Sequence, residues 1–319
     1  MTSAPLRIGT RASALALWQA RHVAESIGRQ PGAPAVELVP IRTEGDVRVE
    51  VPLWSVGGKA FFTKEIDRAL LTREIDVAVH SLKDLSTKLE EGTELAAVMA
   101  REDPSDALLS RDGRQLGELP AGARVGSSSL RRRAFLAHAR PDLRAVELRG
   151  NVPTRVEKLS AGAYDAIILA SAGLKRLGLA VHITSVLPAE DFPPAVSQGA
   201  IGVCVRAGDV RARHWVSALE DRAARLATTA ERALLASLEG GCQVPLGALA
   251  ILNGDQLHLR ASVCALDGSA RINAAAAGAS AQAGQAAQLG ERVAQELLAQ
   301  GARALIADVR GQARAVAAP

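Results

Sequence analysis

One cysteine has a sequence setting suited to covalent chemistry. Cys242 lies in the segment Gly240-Gly-Cys-Gln-Val-Pro, where glycines and a nearby proline predict a loop and an accessible thiol. A thiolate is a nucleophile, so Cys242 is a candidate attachment point for a covalently bound group. The alternative is a buried structural cysteine, which we expect for Cys204 and Cys264 because both lie in apolar strand patterns.

A carboxylate follows a predicted buried strand in the first third of the chain. Asp84 comes shortly after the segment Ile75–His80, which is apolar except for Asp76 and its final histidine. A carboxylate at a strand end can move a proton or stabilise a developing cation. His80 is a second candidate acid or base. The alternatives are a solvated aspartate at a strand-to-loop junction and a satisfied structural histidine.

Arginine supplies a planar fork that binds carboxylate or phosphate, and arginines recur at predicted strand ends and helix starts. Next to one pair of them, the run Ser127–Ser129 offers hydroxyls and helix N–H groups, which predicts an anion site. No Gly-x-x-x-x-Gly-Lys-Ser/Thr pattern occurs, so a nucleoside triphosphate loop is not expected. Any single arginine has the alternative of being solvated. The candidates are Arg11, Arg131, Arg132, Arg133, Arg149, Arg155 and Arg176.

Composition limits the classes of protein to consider. The 319 residues suggest two or three domains, and 48% hydrophobic with 23% charged residues is typical of a soluble globular protein. Only 3% of residues are aromatic, which disfavours a stacking platform for nucleic acid. Three scattered cysteines predict neither a disulfide framework nor a zinc site, and no metal site is expected. With no apolar run long enough to span a membrane and no apolar signal core after Met1, we expect a reducing cytoplasm.

The elements that position these residues alternate between strand and helix. Ser13 is expected to cap a helix running to about Ile27. A second α/β lobe is expected after the polar stretch Arg101–Asp106, and a strand from Gln198 would return the chain to the first lobe, leaving a cleft between the lobes. Ligands of such largely parallel sheets bind beyond the carboxyl ends of the strands.

The remaining segments predict a smaller domain and a lid. Strands at 244–252, 257–265 and 270–275, followed by a helix over 281–298, indicate an α+β domain with a three-stranded antiparallel sheet. The long segment from Thr43 to Phe62 is expected to close over a ligand as a lid, with Lys59 and Phe62 at its far end. The alternative is a mobile surface loop.

Eight motifs in register resemble the hydroxymethylbilane synthase family, also called porphobilinogen deaminases. The resemblance extends from Arg7 to about Val309. Ser127 stands where threonine is frequent in the family, and Ala60 and Ser197 stand where glycine is frequent. The motifs are Ile8–Ser13, Thr43–Asp46, Phe62–Glu65, His80–Asp84, Gly126–Arg132, Leu148–Arg155, Ala172–Leu177 and Leu238–Pro245.

The resemblance implies an enzyme that condenses four porphobilinogen molecules, releases four ammonias and adds water to give hydroxymethylbilane. It implies two lobes like those of type II periplasmic binding proteins and a third domain, divided as 1–100 plus 198–219, 101–197 and 220–319. It also implies a dipyrromethane cofactor bound through a thioether to Cys242, with Asp84 as the catalytic residue. The implied cofactor contacts are Lys83, Ser127, Ser129, Arg131, Arg132 and Arg155, and the implied substrate contacts are Arg11, Ser13, Arg149, Arg176 and Gln198.

Two other functions are compatible with parts of the pattern. A solute receptor or ligand-sensing regulator uses the same two lobes, but it predicts a signal peptide or a helix-turn-helix and gives no role to Cys242. An RNA-binding protein would use the arginines, but it predicts more aromatic residues and steep salt dependence. We therefore expect a monomeric enzyme with porphobilinogen as its partner, and neither nucleic acid nor membrane.

Overall fold

The computed structural model describes residues 4–43, 63–238 and 244–307. These residues form two compact units. Unit 1 contains the described residues of Met1–Arg48, Gly58–Glu102 and Gly199–Arg225, and unit 2 contains those of Asp103–Gln198 and Leu226–Pro319. None of the described helices has the length and apolar character needed to cross a membrane.

Strands and helices alternate along most of the described chain. In chain order they are β1 (Leu6–Arg11), α1 (Ala14–Gly28), β2 (Val36–Ile41), α2 (Lys64–Leu71), β3 (Val77–Ser81), β4 (Thr93–Val98), β5 (Asp106–Ser110), β6 (Arg124–Gly126), α3 (Leu130–Ala139), β7 (Arg144–Val146), α4 (Val152–Ser160), β8 (Ala166–Ala170), α5 (Ser171–Arg176), β9 (Ser185–Val186), β10 (Ile201–Arg206), α6 (Val210–Ser217), α7 (Arg222–Ser237), β11 (Leu246–Asn253), β12 (Gln256–Cys264), β13 (Arg271–Ala279) and α8 (Ala283–Ala299). A short 3-10 helix, Leu82–Asp84, follows β3.

Unit 1 is built on a five-stranded sheet with the order β2-β1-β3-β10-β4. Strand β1 is parallel to β2 and β3, whereas β10 is antiparallel to both β3 and β4. All six residues of β10 are buried, which is consistent with the apolar run Ile201–Val205 that precedes Arg206. The expected return of the chain to the first lobe is confirmed, because β10 follows β9 of unit 2 and joins the sheet of unit 1.

Unit 2 contains a second sheet of the same design, with the order β7-β6-β8-β5-β9. Strand β6 is parallel to β7 and β8, and β5 is antiparallel to β8 and β9. In both sheets the fourth strand runs against its neighbours, which is the arrangement of type II periplasmic-binding-protein lobes. The predicted fold class is therefore confirmed, although strands β4, β5 and β9 were not predicted.

The last part of unit 2 is the predicted α+β portion. Strands β11, β12 and β13 form a three-stranded antiparallel sheet, and β13 extends to Ala279, four residues beyond its predicted end. Apolar residues of α7 and α8 pack against this sheet in one buried cluster. Cys264 at the end of β12 is buried, and burial raises the pKa of its thiol to about 11, which fits the predicted structural role.

A buried glutamate ties α7 to the segment that precedes β10. The Glu231 carboxylate accepts hydrogen bonds from the backbone N–H of Ser197 at 2.6 Å and from that of Ala250 at 2.8 Å. Ser197 has a φ of +62°, a left-handed conformation that favours glycine. The departure from glycine at this position therefore places a serine in a strained backbone held by Glu231.

The close approach of α7 and α8 gives a testable prediction. A Cβ atom added at Gly290 would lie 2.1 Å from the Ala230 carbonyl oxygen, whereas one added at Gly284 of the same helix meets open space. We expect Gly290→Ala to lower the free energy of unfolding by about 2 kcal/mol, since overpacking outweighs the gain in helix propensity. Gly284→Ala should change it by less than about 1 kcal/mol. Denaturant titration measures both values, and equal stability of the two variants would contradict the close approach.

Candidate functional site

A pocket in unit 1 contains the predicted catalytic aspartate. It lies at the carboxyl ends of β1 and β3 and has a volume of about 70 Å³. Arg11 is the last residue of β1, and Asp84 is the last residue of the 3-10 helix that follows β3. The lining residues are Arg11, Ser13, Leu15, Ala16, Gln19, Thr63, Val79, His80, Ser81 and Asp84. The fold thus brings four candidate residues of the sequence analysis into one pocket: Arg11, Ser13, His80 and Asp84.

Helix α1 fixes one wall of this pocket. Its first turn follows β1 directly, and the Ser13 hydroxyl accepts the backbone N–H of Ala16 at 3.4 Å, as the predicted cap requires. The Gln19 side chain is buried and forms two hydrogen bonds with the Ser81 hydroxyl, at 3.0 and 3.2 Å. Gln19 was not predicted, because a single glutamine in a helix is ordinarily solvated. Its contact fixes the helix to the strand end that leads to Asp84.

His80 is a buried neutral group in the wall of this pocket. Only 5% of the residue is exposed, and its Nε2 atom has no hydrogen-bond partner among the described residues. Burial, together with the charge of Arg11, lowers the pKa of His80 to about 4. The imidazole is therefore uncharged near neutral pH, and it adds no positive charge to a pocket that already contains Arg11.

In unit 2, the predicted serine run precedes α3. The Ser129 hydroxyl caps the helix by accepting the Arg132 backbone N–H at 3.4 Å, and the Ser127 hydroxyl accepts the Ser129 N–H at 3.2 Å. The Ser128 hydroxyl donates to the Leu148 carbonyl. These bonds fix the turn between β6 and α3 at the carboxyl end of β6, where the sequence predicted an anion site.

The first two arginines of α3 are buried against a carboxylate. Arg131 Nη1 lies 2.7 Å from Asp106 Oδ2 and also donates to the Pro193 carbonyl at 2.7 Å. Arg132 binds Asp106 Oδ1 through Nε at 3.0 Å and Nη2 at 2.7 Å, and Gln198 Nε2 donates to the same oxygen at 2.8 Å. Burial alone would raise the pKa of Asp106, but the charges of the two arginines outweigh burial and hold it well below its usual range.

Asp106 was missed at the sequence level, and it changes the setting of three predicted residues. Asp106 and Gln198 have no solvent exposure, and Arg131 and Arg132 are 4% and 6% exposed. The Gln198 amide also donates to the Pro104 carbonyl at 2.7 Å, so this side chain contributes to the interior of unit 2. A substrate-binding role for Gln198 stays a prediction.

Two other predicted arginines flank the start of α4. Arg149 and Arg155 are half-buried, and Arg155 Nε donates to the Gly150 carbonyl at 2.8 Å. Asn151 caps the helix by accepting the Thr154 backbone N–H at 3.0 Å. The Gly150 backbone has a φ of +116°, a conformation accessible mainly to glycine. This turn follows β7 and presents both arginines from one short segment.

The remaining predicted residues are separate from these groups or lie outside the described residues. Lys83 is half-buried next to Asp84 in unit 1, and Arg176 is half-buried at the end of α5 in unit 2. Cys242, Lys59 and Phe62 lie outside the described residues, as does the predicted lid beyond Thr43.

Family models match most of the chain. The model described as "Porphobilinogen deaminase, dipyromethane cofactor binding domain" matches residues 6–214. The model described as "Porphobilinogen deaminase, C-terminal domain" matches residues 225–299. The two matched ranges contain Arg11, Asp84, Arg131 and Arg132 in the first and Cys242 in the second.

Several solved structures are similar to the chain at low identity. The periplasmic VFT2 domain of Bordetella pertussis BvgS is 13% identical, with a TM-score of 0.37 over 66% of this chain and 85% of that chain. A Salmonella typhimurium periplasmic binding protein with high arginine specificity is 14% identical, with a TM-score of 0.39 over 70% and 94%. A TRAP periplasmic solute binding protein from Desulfovibrio salexigens is 11% identical, with a TM-score of 0.41 over 68% and 72%. Likenesses this weak say nothing about the ligand of this chain.

The buried imidazole gives a prediction about pH. The pKa of His80 is about 4 in the folded chain and about 6.5 when unfolded, so the unfolded state takes up the proton first as pH falls. Stability from His80 is therefore complete above pH 6.5 and is lost between about pH 6.5 and 4, by up to about 3 kcal/mol. His80→Gln should remove this part of the pH dependence.

The measurement is the difference between the unfolding free energies of the wild type and His80→Gln across pH 4–7. A difference is needed because burial raises the pKa of Asp67 to about 6, which acts in the opposite direction over part of the same range. A pH-independent difference would mean that His80 is not held in its uncharged form.

Proposed function

The chain belongs to the porphobilinogen deaminase family, and we propose which of its residues carry out that family's reaction. The enzyme is a transferase of tetrapyrrole biosynthesis, a hydroxymethylbilane synthase that condenses four porphobilinogen molecules with loss of ammonia and releases the linear product by hydrolysis. It uses a dipyrromethane cofactor. Family membership does not by itself assign a role to each side chain, so the roles of individual residues are proposed from their positions in the structure and in the motifs.

The pocket of unit 1 supports a catalytic role for Asp84. Loss of ammonia from porphobilinogen leaves positive charge on the pyrrole, and a fixed carboxylate stabilises this charge through the pyrrole N–H. Arg11 lines the same pocket and can bind a carboxylate of the substrate, which positions the ring. Because His80 is neutral, it adds no further charge to the opposite charges of Asp84 and Arg11 in the pocket. The shared pocket of Asp84 and Arg11 is the observation that carries this proposal.

The arginine cluster of unit 2 suits a ligand that bears several carboxylates. Each pyrrole of this chemistry has an acetate and a propionate side chain, and a bidentate guanidinium binds such groups better than an ammonium does. Arg131 Nε is buried and has no hydrogen-bond partner among the described residues, so it fits a carboxylate that is still to bind. When bound, the dipyrromethane supplies the primer to which substrate units are added.

The other assignments follow the sequence motifs. We assign Cys242 to the thioether link with the cofactor, and Lys59 and Phe62 to a lid. The first lobe would comprise 1–100 plus 198–219, the second 101–197, and the third domain 220–319. Our proposal is a cytoplasmic monomer that uses neither nucleic acid nor a membrane. Cofactor contacts are assigned to Lys83, Ser127, Ser129, Arg131, Arg132 and Arg155, and substrate contacts to Arg11, Ser13, Arg149, Arg176 and Gln198.

Replacing the pocket carboxylate tests the catalytic assignment. We expect Asp84→Asn to fold and to lower kcat by about 100-fold or more, the scale of one electrostatic catalytic group. The control is Glu74→Gln, which alters an exposed carboxylate just before the opposite end of β3 and should leave turnover unchanged. Steady-state formation of hydroxymethylbilane measures both. Near-normal turnover of Asp84→Asn would place the catalytic role elsewhere.

The attachment of the cofactor is tested by intact mass. Protein purified from cells that make porphobilinogen should be heavier than its sequence by two porphobilinogen units less two ammonias, because each unit joins with loss of one ammonia. Cys242→Ala should have the mass of the bare sequence and show no turnover, whereas Cys264→Ala, which alters a buried cysteine, should keep the added mass. An unmodified wild-type protein from such cells would refute a covalent cofactor.

A further inference from the structure

Asp106 occupies the edge of the unit 2 sheet where an anion site is expected. It is the first residue of β5, which runs antiparallel to β8, so it pairs with Ala170 at the carboxyl end of β8. Strand β6 ends at the same edge and leads into the turn before α3. Burying a carboxylate costs desolvation free energy, and its negative charge repels an acidic ligand. Asp106 at this edge therefore calls for a structural explanation.

The charges of the cluster leave a surplus that an acidic ligand can use. Asp106 is ionised, because the charges of Arg131 and Arg132 hold its pKa well below the usual range. A guanidinium group carries one positive charge in proteins. With one carboxylate against Arg131 and Arg132, the buried cluster has a net charge of +1. A single arginine paired with Asp106 would have been neutral, so the second arginine is what keeps the cluster attractive to an anion.

The two arginines differ in which N–H groups they have already used. Arg132 directs Nε and Nη2 to Asp106 and Nη1 to the Ile168 carbonyl at 3.0 Å. Arg131 uses only Nη1, which donates to Asp106 and to the Pro193 carbonyl. Among the described residues, Arg131 Nε has no partner and no hydrogen bond involves Nη2 of this arginine. The Nε–Nη2 edge of an arginine can bind a carboxylate through two parallel N–H···O bonds, and in Arg131 this edge is unused among the described residues.

We infer that Asp106 is a positioning residue, which holds Arg131 by Nη1 so that the Nε–Nη2 edge binds a carboxylate of the pyrrole ligand. This inference rests on the proposed cofactor site and assigns different tasks within it. Of the two arginines assigned to the cofactor, Arg131 binds the carboxylate directly, whereas Arg132 contributes its positive charge to the site and anchors Asp106. Gln198 donates to the Asp106 oxygen that Arg132 shares, so in this inference its side-chain amide positions Asp106 and does not contact the substrate. Asp106 therefore acts on the ligand only through Arg131.

Removing the charge of Asp106 separates positioning from simple electrostatics. Asp106→Asn raises the net charge of the cluster from +1 to +2, so electrostatic attraction alone predicts equal or faster binding of an acidic ligand. Positioning predicts the reverse, because an arginine misplaced by about 1 Å loses its bidentate geometry. We expect cofactor loading by the Asp106→Asn apoprotein to slow by about 10- to 100-fold.

The experiment uses the full chain, made as apoprotein in cells that lack porphobilinogen. Purified porphobilinogen is added, and intact mass follows the gain of the dipyrromethane, while circular dichroism checks the fold. The matched control is Asp76→Asn in unit 1, where a buried carboxylate also bridges two arginines, Arg7 and Arg206, just before β3 and away from the pocket edge. Asp76→Asn should lower thermal stability and load the cofactor at the wild-type rate.

Each outcome decides one claim. Loading of folded Asp106→Asn at the wild-type rate would overturn the inference and leave the proposed function standing, whereas a wild-type chain that gains no mass would reject the cofactor proposal itself. If Asp106→Asn does not fold, the rate of cofactor loading by Arg131→Lys tests the inference instead. This variant keeps the charge facing Asp106 but has no second donor edge, so loading should slow by about tenfold or more. Unchanged loading by Arg131→Lys would overturn the inference.

Discussion

One buried carboxylate organises the part of unit 2 where acidic ligands are expected to bind. Asp106 has no solvent exposure and receives hydrogen bonds from α3 through Arg131 and Arg132, and from Gln198 near the start of β10. Breaking a buried ion pair by removing one partner typically costs about 3–5 kcal/mol, so this cluster restrains the elements that it joins. The cluster also retains a positive charge, and the geometry of the ligand-binding edge follows from how the arginines share one carboxylate.

In both units a serine caps a helix that starts at the carboxyl end of a sheet strand. In unit 1, Ser13 caps α1 directly after β1, and in unit 2, Ser129 caps α3 directly after β6. In each case a helix begins at the carboxyl end of a sheet strand, so its free N–H groups and an adjacent arginine lie at the same edge. The difference is in the carboxylate. Asp84 is half-buried in a pocket and can meet a substrate, whereas Asp106 is completely buried and meets only its own chain.

Sequence patterns predicted the local structure better than the pairing of side chains. The cap at Ser13 and most strands were predictable from polar residues next to apolar periodicity, and eight motifs identified the family resemblance. Strand β5 was missed because its first residue, Asp106, looks like the end of a polar stretch. Its pairing with two arginines 25 and 26 residues later depends on the order of strands in the sheet, which a local pattern does not contain. The buried role of Glu231 was also missed, but for a different reason: a glutamate within a helix is ordinarily solvated.

A crystal structure of the chain that has assembled its own cofactor would test the division of tasks between the two arginines most directly. We predict that Nε and Nη2 of Arg131 each lie about 2.7–3.0 Å from one carboxylate of the bound pyrroles, with Nη1 still on Asp106 and with Arg132 unmoved. An Arg132 that has left Asp106 to bind the carboxylate, with Arg131 turned away from it, would contradict this account.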